Sequence, residues 1–227
     1  YDLNALFTGS EGTLGVISEA LLRLTAKPKA ARTALVEFAA LDDASRTVNA
    51  ILATGIVPTT LELMDETAIA CIEEGMHLGL PLDVEAILLV ETDGADVNSV
   101  LREIEAVEKI CRECGARQVK VAQSEEERAK LWRARRSVSA ALARKAPNKL
   151  GEDITVPRSK IPEMVSRLSQ ISKENNLPIV VYGHIGDGNL HPTILCDRRD
   201  AAVMKRVERA AKEILAAAVA LGGTLSG

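Results

Sequence analysis

Two histidines near the end of the chain have the spacing that most directly suggests chemistry. The stretch "VVYGHIGDGNLHPTIL" (180–195) contains His184 and His191 on either side of a Gly-Asp-Gly sequence. Asp187-Gly188 is a favoured two-residue hairpin turn, and pairing around it places the two histidines opposite each other. Directly opposed residues share a face, with Cβ atoms about 4.5–5.5 Å apart, so both imidazoles could bind one metal ion. The pattern predicts part of a divalent-metal site.

The residues around this turn extend the prediction. Gly183, Gly186 and Gly188 lack side chains, which predicts room for a ligand beside the imidazoles. Asn189 falls on the same face because side chains alternate along a strand. Catalytic zinc usually has three protein ligands, so a third is expected from elsewhere, including beyond Gly227. A packed, metal-free pair of structural histidines stays open as the alternative.

A second candidate site lies in the glycine-rich run "TGSEGTLGV" (8–16). Glycine-rich backbone can approach a flat cofactor closely, and successive N–H groups can form an anion-binding nest. The run is not a Walker A loop, since no lysine follows, and it is not a G-x-G-x-x-G sequence. By itself it favours a tight loop and a cofactor contact equally.

The run "WRARR" (132–136) places Arg133, Arg135 and Arg136 on a predicted helix. Guanidinium groups suit bidentate binding of a carboxylate, and only one or two of the three can face a sheet. A solvated basic face is the alternative. Asp153, at the start of a predicted strand, is a candidate cap or polar contact.

The remaining histidine and the cysteines indicate structure rather than chemistry. Cys111 and Cys114 form a lone C-x-x-C with no second pair to complete a zinc ribbon. We expect them to be reduced, partly buried helical residues, which fits a reducing compartment. His77 is expected at the surface or at a helix end.

The composition excludes several functional classes. The 227 residues are 47% hydrophobic and 26% charged, which is ordinary for a soluble protein of one or two domains. A net charge of −4 gives no electrostatic footprint for nucleic acid. The sequence has no apolar stretch of transmembrane length and no visible secretory signal. It starts without Met and stops just after a predicted helix, so we expect a segment of a longer protein.

Strands and helices alternate along most of the chain. "KPKAAR" (27–32) carries Pro28 and reads as a linker or domain boundary, preceded by a strand-like segment at 15–24. Strands are predicted at 33–39, 57–65, 84–94, 116–122, 152–157, 177–185 and 189–196. Helices are predicted at 42–53, 66–74, 95–114, 124–145, 158–176 and 200–223. A capping box from Ser124 to Glu127 opens the fourth helix. This order indicates a layered α+β or α/β domain with helices on one face of a sheet.

Four segments together resemble a known family. "LFTGSEGTLGVISEALLRL", "EDITVPRSKIPEMV", "GHIGDGNLHP" and "GGTLSG", in this order and spacing, are similar to FAD-linked oxidases of the vanillyl-alcohol oxidase type. The branch contains the glycolate oxidase flavin subunit, cytochrome-linked D-lactate dehydrogenase and D-2-hydroxyglutarate dehydrogenase. The resemblance implies that residues 1–26 are the tail of an FAD-binding domain. It implies that 27–227 form a ferredoxin-like α+β domain, truncated at its end, whose antiparallel sheet is layered with helices.

The resemblance also implies roles for individual residues. His184 and His191 match the family's metal-binding histidines, Arg135 matches a substrate-carboxylate arginine in an "LWxxR" pattern, and Asn189 matches an asparagine near flavin and substrate. The residues that match its flavin-contacting segment are Gly9, Ser10, Glu11, Gly12, Thr13, Gly15, Val16 and Ile17. In the family a metal-binding Glu and a proposed base, a His, follow the "SG" at which this chain stops. Lys149 lies close to a family lysine but out of register, and we do not assign it.

The implied function is part of an FAD-dependent 2-hydroxy-acid dehydrogenase that moves hydride from substrate C2 to flavin. Its divalent metal is expected to be zinc first, then manganese or iron. Expected partners are a small 2-hydroxy acid, a separate acceptor (an Fe–S subunit, a quinone or an electron-transfer flavoprotein) and further subunits of a homo- or hetero-oligomer. The expected location is cytoplasmic, or peripheral to a membrane through the acceptor. The alternatives are a non-catalytic scaffold or oligomerisation domain, and a related flavoenzyme such as an alkyl-glycerone-phosphate synthase.

Overall fold

The structure, a computed structural model, describes residues 1–226. Its strands are β1 (Ala30–Phe38), β2 (Thr60–Asp65), β3 (Ala86–Gly94), β4 (Gln118–Val121), β5 (Asn148–Gly151), β6 (Asp153–Thr155), β7 (Ile179–Val180), β8 (Tyr182–Gly183), β9 (Asn189–Leu190), β10 (Thr193–Cys196) and β11 (Thr224–Ser226). Its helices are α1 (Leu3–Phe7), α2 (Leu41–Ala53), α3 (Glu66–Met76), α4 (Val97–Glu113), α5 (Glu125–Arg136), α6 (Val138–Lys145), α7 (Ile161–Asn175) and α8 (Ala201–Ala220).

A five-stranded antiparallel sheet organises the domain. Its strand order is β4-β1-β3-β2-β8, and β1 to β4 follow the split β-α-β, β-α-β path of a ferredoxin-like fold, with α3 inserted before β3. The pairings Ala34↔Val90 and Leu63↔Leu88 fix the register of the central strands. The predicted ferredoxin-like α+β class is confirmed. In residues 1–226 no helix is long and apolar enough to cross a bilayer.

Helices cover both faces of this sheet, which corrects the prediction of helices on one face only. Side chains such as Val36 and Leu88 point to α2 and α4, where the core continues through α7 and α8. Leu35, Met64 and Ile87 point the other way, into a second core built with α3 and α6. The sequence already carries the reason, because residues 34–36 of β1 and 86–90 of β3 are consecutive apolar residues without polar alternation, as in strands buried on both faces.

The predicted helix at 124–145 is two helices. Ser124 caps α5 by accepting the N–H of Glu127, and the Glu127 carboxylate reaches back to the N–H of Gln123. The break falls at Ser137, whose hydroxyl donates to the carbonyl of Arg133 at 2.8 Å. Such back-bonding competes with the helical hydrogen-bond ladder and lets the chain bend. The bend lets α5 and α6 follow the sheet separately.

Two small three-stranded sheets, β5-β10-β7 and β11-β6-β9, adjoin the main sheet. The predicted strands at 177–185 and 189–196 are each split between sheets. In the second, Pro192 lacks an N–H for the ladder, and β9 ends before it while β10 begins after it. The split places the histidine segment where all three sheets meet.

The first 29 residues contain α1 and otherwise no regular structure. The strand expected at 15–24 is absent from the described residues, and the segment is exposed there. Val16 and Leu21 are 93% and 104% exposed. Alternating apolar residues form a strand only against a partner, and this segment pairs with none in the described part of the chain.

Candidate functional site

The two histidines lie together, but not across a regular hairpin. His184 follows β8, which pairs with β2, and His191 follows β9, which pairs with β6. A 3-10 turn at Ile185–Asp187 joins the two segments, and the N–H of His191 donates to the carbonyl of Tyr182 at 2.7 Å. The predicted pairing of His184 with His191 is therefore wrong. The ring centroids nevertheless lie 5.2 Å apart in a T-shaped arrangement.

Gly183 and Gly188 make room for the protein chain rather than for a ligand, which corrects the prediction at these two positions. A Cβ on Gly183 would lie 2.6 Å from the carbonyl oxygen of Asn189, and one on Gly188 would lie 2.1 Å from that of Val156. Gly188 also has a φ of +82°, which side chains disfavour. The glycines allow segments of different sheets to approach closely enough to bring the imidazoles together.

Glu62, on β2, holds the first half of the site. One of its carboxylate oxygens, Oε1, lies 2.6 Å from His184 Nδ1. The other, Oε2, accepts a hydrogen bond from Nε of Arg135 at 2.8 Å and forms an ion pair with Nη2 of the same guanidinium at 2.8 Å. A carboxylate only accepts, so Nδ1 is the donor of this contact, and in the neutral imidazole the lone pair of His184 would then be on Nε2. Arg133 and Arg136 are exposed, so Arg135 is the arginine of "WRARR" that reaches this cluster.

Asp153, on β6, holds the second half. Its Oδ1 accepts from Asn189 Nδ2 at 2.6 Å and lies 3.6 Å from His191 Nδ1. Burial lowers the pKa of His191, and the nearby Asp153 charge offsets only part of that effect. The imidazole is therefore neutral at neutral pH. Asn189 and His191 converge on one carboxylate oxygen, as their predicted shared face requires.

Tyr182 lies between the two halves. The Arg135 guanidinium carbon is 5.4 Å from the centre of its ring, a cation–π distance, and the ring is 5.6 Å from that of His191. A cavity of about 110 Å³ opens beside His184 and is also lined by Glu62 and Arg158. The cluster thus joins a guanidinium, two imidazoles and an amide beside a small space.

The donor set suits a metal ion in one respect and is incomplete in another. His184 has a carboxylate oxygen at hydrogen-bond distance from Nδ1, the arrangement that orients metal-binding imidazoles, whereas the carboxylate nearest His191 Nδ1 is 3.6 Å away. Within residues 1–226, however, no group of three or more His, Cys, Asp or Glu side chains is placed to hold a metal. The described residues therefore bring two imidazoles together without a third side chain that could complete a metal site.

The predicted flavin-contacting residues make no hydrogen bond to this cluster within the described residues. Gly9, Gly12 and Gly15 belong to an exposed turn after α1, together with Ser10, Glu11, Thr13, Val16 and Ile17. The hydrogen bonds of this turn stay local, for example from Thr13 Oγ1 to the Ser10 carbonyl at 2.6 Å. Nothing within the described residues tests their role.

The sequence interpretation missed Glu62 and Tyr182, and it gave Asp153 only as a candidate cap or polar contact. The available signal was Glu62 itself, a charged residue between Leu61 and Leu63 in a strand with apolar neighbours. Alternation places it on the face opposite those leucines. A buried carboxylate needs partners, which marks such a residue for attention. His77, which caps α3, and the unpaired Cys111 and Cys114 have the structural positions expected.

The chain belongs to the family of FAD linked oxidases, C-terminal domain, whose family model matches residues 27–227. It is 45% identical over 227 residues to a glycolate oxidase subunit, GlcD, of Bacillus subtilis, covering all of this chain and 48% of that protein. It is 31% identical over 230 residues to a probable mitochondrial D-lactate dehydrogenase of Danio rerio, covering all of this chain and 46% of that protein. The chain thus spans about half the length of the curated relatives it matches.

Solved structures support the fold. An alkyldihydroxyacetonephosphate synthase matches all of this chain and 46% of its own with a TM-score of 0.66 at 17% identity. A p-cresol methylhydroxylase matches 87% of this chain and 45% of its own with a TM-score of 0.64 at 12% identity. At these identities the likeness concerns architecture alone.

Proposed function

We propose that this chain is the substrate- and metal-binding part of an FAD-dependent 2-hydroxy-acid dehydrogenase of the glycolate, D-lactate or D-2-hydroxyglutarate type. Its family and the names of its relatives support the class. The observation that carries the proposal is the convergence of His184, His191 and Arg135 through Glu62 and Tyr182. A 2-hydroxy acid presents a carboxylate and a neighbouring hydroxyl, which this set of groups can bind together.

Arg135 is the proposed carboxylate-binding group. Its Nε donates to Glu62 and its Nη2 forms an ion pair with the same oxygen, while Nη1 makes no hydrogen bond within the described residues and is proposed to bind a substrate carboxylate. The Tyr182 ring centre lies 5.4 Å from the guanidinium carbon. Substrate binding at Arg135 would therefore place C2 beside the histidines.

His184 and His191 are the proposed metal ligands, with a third ligand from outside the described residues. A divalent ion held there would act as a Lewis acid on the substrate hydroxyl and ease its deprotonation. Asn189 is proposed to lie near flavin and substrate, with its amide oriented by Asp153 and Thr155. FAD, when bound, would accept the hydride.

Residues 1–26 are proposed to be the tail of the FAD-binding domain. Its proposed flavin-contacting residues are Gly9, Ser10, Glu11, Gly12, Thr13, Gly15, Val16 and Ile17. Exposed apolar side chains support this, because a surface with Val16, Ile17, Leu21, Leu22 and Leu24 uncovered calls for a partner. We also propose that the full-length protein passes its electrons to a separate acceptor and assembles with further subunits. The Bacillus subtilis relative is itself named a subunit.

The test uses the full-length protein that contains this chain, with and without His184→Ala/His191→Ala. We expect near one divalent ion per wild-type chain by plasma mass spectrometry, lost in the double variant. We also expect anaerobic bleaching of the flavin by a 2-hydroxy acid, abolished in that variant. His77→Ala, which removes an exposed histidine from a helix end, is the matched control and should keep both properties.

Three results would contradict the proposal. Wild-type protein that contains flavin but no divalent metal would indicate a metal-free flavoenzyme. Unchanged turnover in the double variant would make the histidines structural and favour a scaffold role for this domain. Product formation from an acyl-glycerone phosphate, with no bleaching by 2-hydroxy acids, would indicate the synthase alternative.

A further inference from the structure

Glu62 lies in the interior of the main sheet, where a carboxylate is costly unless it is paired. Its strand, β2, pairs with β3 on one side and β8 on the other. The residue is 6% exposed. The backbone that carries this carboxylate is therefore fixed by two neighbouring strands, and its side chain has little freedom to choose other partners.

The two oxygens of Glu62 serve two different elements. Oε1 faces Nδ1 of His184, which follows β8 at the sheet edge. Oε2 accepts a hydrogen bond from Nε and forms an ion pair with Nη2 of Arg135, which lies in the last turn of α5. One side chain thus connects the proposed carboxylate-binding group, Arg135, to a proposed metal ligand, His184. Within the described residues, no hydrogen bond joins Arg135 and His184 directly.

We propose that Glu62 is a positioning residue that sets the distance and orientation between Arg135 and His184, so that the carboxylate and the neighbouring hydroxyl of one substrate molecule would be bound together. This inference rests on the proposed function. It assigns Glu62 two tasks: holding the arginine's unused Nη1 towards substrate, and fixing the His184 tautomer whose Nε2 is free. Carboxylates that support metal-binding imidazoles commonly contribute 10–100-fold to metal affinity.

The charge of Glu62 is essential to both tasks. The Arg135 side chain is only 12% exposed, so loss of the carboxylate would leave a guanidinium largely desolvated without its counter-charge. An amide at this position could still accept one hydrogen bond, but it could also donate to Nδ1 and stabilise the other tautomer. We therefore expect Glu62→Gln to disturb the metal ligand and the carboxylate-binding group together.

The experiment compares Glu62→Gln with Glu91→Gln in the full-length protein. Glu91 is a matched control, since it is also a buried glutamate in the main sheet that pairs with an α5 arginine, Arg128, but it contacts neither histidine. For Glu62→Gln we expect metal affinity to fall about 10–100-fold. We also expect the KM for the 2-hydroxy acid to rise and kcat/KM to fall about 100-fold with metal saturating. Glu91→Gln should leave the metal affinity, KM and kcat/KM unchanged.

A third readout does not depend on activity. Nitrogen-15 NMR of the histidines at about pH 9, where an ordinary imidazole is neutral, should report the Nδ1–H tautomer of His184 in the wild type and a mixture in Glu62→Gln. Should Glu62→Gln fail to fold, Glu62→Asp is the second variant, because its shorter side chain keeps the charge but places it farther from both partners. We expect smaller losses of metal affinity and kcat/KM in Glu62→Asp.

The outcomes separate this inference from the function on which it rests. Wild type that binds metal and oxidises 2-hydroxy acids, with a Glu62→Gln variant unchanged in metal affinity, KM and tautomer, would overturn the positioning role alone. Wild type that neither binds metal nor bleaches with a 2-hydroxy acid would overturn the proposed function. A His184 Nδ1 without hydrogen in the wild type would overturn the positioning role whatever the function.

Discussion

At the scale of single residues, Glu91 shows how this sheet keeps a buried carboxylate charged. It is 5% exposed and accepts from Thr33 Oγ1, Trp132 Nε1 and both Nε and Nη2 of Arg128. Burial by itself raises the pKa of Glu91, but these donors outweigh it and the pKa lies below its ordinary value. The folded state therefore binds a proton at Glu91 less readily than the unfolded chain does.

This shift predicts how stability depends on pH. Because the folded pKa is depressed, the stabilisation by Glu91 is present above the ordinary glutamate pKa, about 4.3, and is lost as the pH falls through the lower folded value. At about pH 7, Glu91→Gln should lower the free energy of unfolding by about 1.5–3 kcal/mol, because charged hydrogen bonds are lost. Denaturant titration of wild type and variant at about pH 7 and about pH 3 tests this. A difference that grows towards acid pH would contradict it.

Residue types alone carried much of the candidate site. The sequence predicted that His184, His191 and Asn189 share one region, and the structure brings them together. The sequence also predicted that only one or two arginines of "WRARR" can face the sheet, and Arg135 reaches Glu62 on β2. Their catalytic and ligand roles stay predictions. The role of Glu62 was not predicted, because its partners are 73 and 122 residues away in the sequence and such long-range pairs leave no local pattern.

At the scale of elements, the turn at Gly188 decides whether the histidine segment can form. Its φ of +82° and the Val156 carbonyl 2.1 Å from a would-be Cβ exclude any side chain unless backbone moves. The N–H of Val156 also donates to the Gly188 carbonyl at 3.0 Å, so the loop is tied to the residue that follows β6. Displacement here would carry His184 and His191 with it.

We therefore expect Gly188→Ala to destabilise the protein by about 3 kcal/mol or more, because backbone strain and a steric clash add. Gly55→Ala is the control: its φ is +85°, but a Cβ there meets nothing within 4 Å. It should cost about 1–2 kcal/mol, the penalty for left-handed backbone alone. Denaturant melts of both variants measure the difference. Equal losses would mean that the Val156 contact carries no cost.

At the scale of the whole molecule, residues 30–226 contain two apolar cores, one on each face of the main sheet, whereas the first 29 residues are mostly exposed. Residues 1–26, here proposed to be the tail of the FAD-binding domain, leave their apolar side chains uncovered and by themselves supply little to hold a flavin. The described residues likewise contain no group of three or more His, Cys, Asp or Glu side chains placed to hold a metal.

We accordingly predict that the 227-residue chain, expressed alone, is colourless and inactive towards 2-hydroxy acids. Its visible absorbance after addition of FAD and removal of free flavin measures this, and the full-length protein, which should be yellow, is the control. A yellow preparation of the 227-residue chain would show that the chain holds flavin by itself.

The sequence by itself determined the α+β class, the position of most helices and strands, and the residues that could bind metal or carboxylate, because these depend on periodicity, caps and residue chemistry. Only the tertiary structure decided the rest. The histidine segment lies at a junction of three sheets rather than in the predicted hairpin, because Gly183 and Gly188 allow close approaches between chain segments that no local pattern specifies. The tertiary structure also placed Glu62 between His184 and Arg135, because a buried carboxylate takes whichever partners the packed strands and helices bring within reach.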